Sequence, residues 1–133
     1  MVFLDSNVWI YGFIESQNPS KHQIAKRLIE DEEIGISVQV IAEVCLALIR
    51  KTSATEDRIQ RIIGDFEVQF HPLPITTSHL RRASLLRMRY NVSHWDSLLL
   101  VAALDLDASI FYSEDMQDGL IVDRSLTIQN PFR

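Results

Sequence analysis

Short apolar runs alternate with longer segments of helical period along this chain, and that alternation restricts its fold more than any other feature of its 133 residues. The runs VFL (2 to 4), IGISV (34 to 38), the stretch from Phe70 to Ile75, ASIFY (108 to 112) and LTIQ (126 to 129) predict strands. Between them lie six predicted helices. NVWIYGFIES follows the first strand. KHQIAKRLIEDE, with Ser20 as its expected cap, puts Ile24, Leu28 and Ile29 on one face. VQVIAEVCLALIRK follows Ser37, and TEDRIQRIIGDF carries the stripe Ile59, Ile62, Ile63 and Phe66 behind a Thr55 cap. SHLRRASLLRMRY and HWDSLLLVAALDL complete the set. Strands separated by helices require crossover connections, which generate a parallel sheet covered on both faces. The expected fold is therefore α/β: a three-layer α/β/α domain with a central, mainly parallel sheet of about five strands. In such sheets ligands bind at the carboxyl ends of the strands.

A chain of this length supports one core, and we expect residues 1 to 133 to form one domain. The lone cysteine, Cys45, lies in an apolar run and cannot form an internal disulfide, which fits a reducing cytoplasm. The start, Met1-Val2-Phe3-Leu4-Asp5, does not read as a secretory signal. The longest uninterrupted apolar stretch, LLLVAAL at 98 to 104, is far short of the ~20 residues that cross a bilayer, so no membrane role is expected. A net charge of −5 argues against coating nucleic acid by bulk electrostatics and leaves room for a local basic face.

Four acids stand at unusual places. Asp5 ends the first strand, with Ser6 and Asn7 behind it; a helix cap is the plain explanation, and a carboxylate presented at the ligand edge is the other. Glu43 is the only charged residue between Val38 and Ile49, and Leu46 and Ala47 occupy the positions where a basic partner would stand. Asp96 precedes seven apolar residues and completes a Ser93-x-x-acid capping pattern. Asp115 follows the strand ending at Tyr112, in a loop that also holds Glu114, expected to face water, and Asp118, which with Gly119 forms a turn dipeptide. Each has a structural explanation singly, yet Asp5, Glu43, Asp96 and Asp115 all fall toward the expected ligand edge. Carboxylates crowded without basic partners resist joint ionisation, and hard divalent cations remove that objection. Mg2+ and Mn2+ take oxygen ligands and fill the rest of their shell with water and substrate phosphate.

The order Asp5-Ser6-Asn7, Glu43, Asp96 and Ser113-Glu114-Asp115 resembles the PIN domain. The segments FLDSNVWIY, SHWDSLLLVAA and SEDMQDG, with a close in NPF, are similar to the VapC-type toxins of toxin–antitoxin pairs. The resemblance runs nearly end to end. It implies a Mg2+- or Mn2+-dependent endoribonuclease, a homodimer, held inactive by a VapB-type antitoxin. It further implies that Asp5, Glu43, Asp96 and Asp115 are the catalytic, metal-binding acids, with Ser6, Asn7 and Ser113 as small polar groups beside them. Many members carry a second Asp or Asn two residues beyond the last acid; here Gln117 stands there, and Asp118 is the auxiliary candidate.

For RNA backbone contact the candidates are Arg81, Arg82, Arg87 and Arg89, with Arg50 and Lys51 ending an earlier helix; a solvated helix face is the plain alternative. His94, beside Asp96, is the one histidine placed to meet substrate. Trp9, Tyr11 and Phe13 suit the core first, and a dimer interface or antitoxin groove otherwise. A housekeeping nuclease of the same family and a catalytically silent binding module are the alternatives. A phosphorelay receiver needs a lysine after its last core strand, whereas Lys21, Lys26 and Lys51 all precede residue 52.

Overall fold

The computed structural model describes all 133 residues. Its elements are β1 (Val2–Leu4), α1 (Ser6–Phe13), a 3-10 turn (Glu15–Gln17), α2 (Pro19–Asp31), β2 (Ile34–Gly35), α3 (Val38–Lys51), α4 (Glu56–Phe70), α5 (Thr77–Arg89), α6 (His94–Asp105), β3 (Ile110–Tyr112), β4 (Ile121–Val122) and β5 (Leu126–Gln129). The strands form one sheet in the order β2-β1-β3-β5-β4, parallel except for the last pair. The expected α/β architecture, with five strands and six α-helices, is what the chain adopts.

The chain leaves β1 for β2 on one side and returns across it to β3 on the other. That reversal opens a crevice at the carboxyl ends of β1 and β3, where open α/β sheets bind ligands. Phe3 and Phe111 stack across the two strands with ring centroids 5.2 Å apart. Trp9 of α1 meets Phe66 and Phe70 of α4 edge-on at 5.2 and 5.5 Å, so two of the three early aromatics considered for interfaces are engaged here differently: Trp9 is core, and Phe13 is half-buried. Helix α6 is apolar all round and buried from Ser97 to Ala103, while α5 covers it through His79, Ala83 and Leu86.

Two local expectations need correction. The stretch Phe70 to Ile75 is not a strand. Phe70 continues the buried stripe of α4 for one more turn, His71 then adopts φ 48, and only Leu73, between Pro72 and Pro74, bridges Ser37. Proline has no N–H to donate to a ladder, so pairing stops at that one residue. The fifth strand is instead β4, half of a hairpin with β5. Helix α2 is capped by Asn18, whose Oδ1 accepts the Lys21 N–H at 3.1 Å, with Pro19 in the first helical position; Ser20 lies inside the helix.

Candidate active site

Leu4 of β1 lies beside Tyr112 of β3 in register, so the next residues, Asp5 and Ser113, leave the sheet side by side. The Asp5 N–H donates to the Tyr112 carbonyl at 2.9 Å, and the Ser113 hydroxyl donates to Asp5 Oδ2 at 2.8 Å. Asp5 Oδ1 accepts the Ser6 N–H at 2.7 Å. Asp5 is therefore both the cap of α1 and a buried acid, 6 % exposed. Burial pushes its carboxyl up to about 6, against the hydrogen bonds from Ser113 and Ser6, and the charges of Asp96 and Asp115 push the same way.

Glu43 reaches the same place from α3. Its Oε1 is buried and has no hydrogen-bond partner. Burial raises its carboxyl to about 7; the Asp5 and Asp96 charges add to that, while the Ser6 and Gln39 side chains offset part of it. Asp96 sits half-buried in the first turn of α6, where its N–H is capped by Ser93 Oγ at 3.1 Å. Asp115 is exposed at the mouth, its Oδ2 accepting the Asn7 amide at 3.0 Å. Ser113 Oγ also accepts the N–H groups of Asp115 and Met116, each at 3.2 Å, so one buried hydroxyl shapes the loop while holding Asp5.

Asp5 is the hub of this group: it acts on Glu43 and is acted on by Asp96 and Asp115. Asp118 is engaged elsewhere. Its Oδ1 accepts the Asn130 N–H at 2.9 Å and its Oδ2 faces Arg133 at 3.4 Å, which staples the loop to the C-terminal segment. Glu114 does not simply face water, because Lys21 pairs with it and holds its carboxyl below the usual range against the effect of burial. Tyr11 joins that pair through Lys21 at 3.5 Å.

The arginines of α5 are largely occupied. Arg82 pairs with Asp105 and Arg89 with Asp123, both at 2.6 Å, and Arg87 donates to Ser97 Oγ at 2.8 Å; Arg81 is exposed. His94 is exposed and packs edge-on against Trp95. Gln39 is not among the expected site residues: 7 % exposed, it donates from Nε2 to the Trp95 carbonyl at 3.1 Å and so joins the helix of Glu43 to that of Asp96. The signal was a second polar residue one helical turn before Glu43 in an apolar run.

No three of these side chains converge closely enough to grip one ion as they stand. The donor set nevertheless fits a hard divalent cation. All its groups are carboxylates, Glu43 Oε1 is buried without a donor, and no basic side chain shares the burial that raises Asp5 and Glu43. A cavity of about 460 Å³ lies apart from the acids, between α1, α2 and α4, and is lined by Trp9, Phe13, Ile29, Phe66 and Phe70 among others.

Comparisons with known proteins agree with this fold. A toxin–antitoxin complex from Klebsiella pneumoniae superposes with a TM-score of 0.73 at 19% identity, over 98% of this chain and 98% of that one. Mycobacterium tuberculosis VapC20, a sarcin-ricin loop cleaving toxin, gives 0.69 at 16% identity over 86% and 92%. VapBC2 from Rickettsia felis, bound to a DNA fragment from its promoter, gives 0.64 at 18% over 98% of each chain. At these identities the likeness establishes the fold. No curated protein matches the sequence. Residues 2–117 match the PIN domain, which spans all four acids, and the chain belongs to the PIN-domain family.

Proposed function

We propose that the chain is a metal-dependent endoribonuclease and the toxin of a toxin–antitoxin pair. The observation that supports this reading is the mutual repulsion among Asp5, Glu43 and Asp96, with Asp115 at the mouth, near the carboxyl ends of β1 and β3, where burial also raises the carboxyls of Asp5 and Glu43. Asp5, Asp96, Asp115 and Glu43 would hold Mg2+ or Mn2+. A divalent ion bound there lowers the pKa of a coordinated water and offsets charge on the phosphoryl oxygens.

The chain's own groups do the rest. Ser6 and Ser113 fix the Asp5 carboxylate, and Asn7 fixes that of Asp115. Glu43, with a buried, unpartnered Oε1 beside Asp5, is suited to accept the proton of an attacking water. The water oxygen bonds to phosphorus, the phosphodiester P–O bond breaks, and the leaving oxygen takes a proton.

A VapB-type antitoxin fits the apolar cavity between α1, α2 and α4, whose charged rim includes Lys26, Glu30 and Asp65. The solved neighbours described as toxin–antitoxin complexes support such a partner. Val38, Leu46 and Ile49 form an exposed apolar stripe on α3, suited to a second copy and so to a homodimer. Cytoplasmic action on RNA completes the reading.

The test is cleavage of a panel of single-stranded and structured RNAs with Mg2+, Mn2+ or chelator, with Asp96→Asn as control. Metal-dependent cutting that Asp96→Asn abolishes is expected. Folded protein that cuts nothing under any of these conditions overturns the enzyme reading and leaves the silent binding module.

A further inference from the structure

Trp95 is 61 % exposed, although a tryptophan is the side chain with most to gain from burial; the chain's other one, Trp9, is 2 % exposed. It stands in the first turn of α6, immediately before Asp96. Two contacts fix it there. The His94 ring meets the indole edge-on, centroids 4.7 Å apart and planes at 80°. Gln39 holds the Trp95 carbonyl from α3 at 3.1 Å, tying the residue to the helix that carries Glu43.

From this geometry we propose that Trp95 is a stacking platform for one unpaired base of a single-stranded RNA segment, beside the phosphate presented to the acids. An exposed, fixed aromatic face on which a base stacks is how single-stranded nucleic acid is gripped without reading its sequence. A base inside a duplex cannot offer its face to the indole, so the platform selects unpaired substrate. This inference rests on the nuclease reading for its substrate, and its test separates the two.

Because Trp9 is buried, fluorescence quenching by acrylamide reports on Trp95. The full chain is titrated in Mg2+ with a short oligouridylate, the same length of abasic oligoribonucleotide, and a blunt RNA duplex. Base-dependent protection is expected: the oligouridylate shields the indole, and the abasic strand and duplex do not. In the cleavage assay Trp95→Ala is expected to raise KM for single-stranded RNA roughly tenfold or more with kcat little changed, and Trp95→Phe to recover most of it. Base-dependent protection without any cutting supports the platform while the nuclease reading fails. Equal response to the abasic strand, an unchanged KM in Trp95→Ala, or an indole already shielded in a self-associated free chain overturns it; the last outcome assigns the surface to a second copy.

Discussion

The hydroxyl of Ser113 donates to Asp5 Oδ2 at 2.8 Å across 108 residues of sequence, with Ser113 fully buried. That bond crosses from the end of β3 to the end of β1 and stabilises the ionised form of a carboxylate that burial otherwise neutralises. Ser113→Ala removes it and leaves the N–H groups of Asp115 and Met116 without their acceptor. The Asp5 carboxyl is expected to rise above 6, and Mg2+ affinity to fall roughly 10- to 100-fold, as for other groups that orient metal ligands. Calorimetric titration of Mg2+ checks this, and Ser113→Thr, which keeps the hydroxyl, should restore much of the affinity.

The raised carboxyls make stability depend on pH in an unusual direction. Asp5 moves from 3.8 to about 6 and Glu43 from 4.5 to about 7. The folded chain then holds more protons than the unfolded chain between those values, so stability is highest near pH 4 and falls as pH rises through 6 and 7. For buried Asp5 alone the loss is roughly 3 kcal/mol. Thermal melts in chelator from pH 5 to 8 should show a falling Tm. Asp5→Asn should flatten the fall, and the Tm gain on adding Mg2+ should grow with pH. A metal-free Tm that rises from pH 5 to 8 contradicts the burial of these acids.

The parts of this arrangement that were legible share one property: their signals are local. Ser93-x-x-Asp96 is a cap pattern, and a lone Glu43 in an apolar helix is conspicuous without any knowledge of its neighbours. What was not legible depends on contacts between distant segments. Glu114 reads as a solvent-facing loop acid because its partner, Lys21, lies 93 residues away on α2. Asp118 reads as a site acid until Asn130 and Arg133 are seen to hold it. The stretch from Phe70 to Ile75 reads as a strand because a short apolar segment suits either element, whereas Phe70 packs against Trp9 as the last residue of α4 and the prolines beside Leu73 limit the rest to one bridge.

The β4–β5 hairpin escaped notice for a different reason, since its turn lacks the usual glycine or asparagine. Asp123 and Arg124 have φ 48 and 61, in a turn closed by Ser125 N–H to the Val122 carbonyl at 3.1 Å. Asp123 is tied down by Arg89 and by the Tyr90 hydroxyl at 3.0 Å, whereas Arg124 is exposed. Arg124→Gly is therefore expected to relieve the left-handed strain and stabilise the fold by about 0.5–1 kcal/mol, net of the entropy that glycine adds to the unfolded chain. A Tm raised by a few degrees checks it.

Lys21 draws three elements onto the acidic loop. Its ammonium pairs with Glu114, lies 3.5 Å from the Tyr11 hydroxyl, and sits over the rings of Tyr11 and Phe132 at 5.1 and 5.5 Å. The Glu114 pair raises its pKa, so the charge persists at every pH at which the fold operates. Lys21→Met keeps an unbranched side chain over the aromatic rings and removes only the charge. Glu114 is then half-buried with only the Tyr11 hydroxyl beside it, next to Asp115, and the loop from Ser113 to Gly119 must open to hydrate it. Amide hydrogen exchange at Asp115 to Gly119 should accelerate while exchange in α6 stays unchanged, and cleavage should fall several-fold. Restoring neutrality with Lys21→Met/Glu114→Gln should return the loop's exchange toward the wild-type rate, an outcome that a role for Lys21 confined to the start of α2 does not produce.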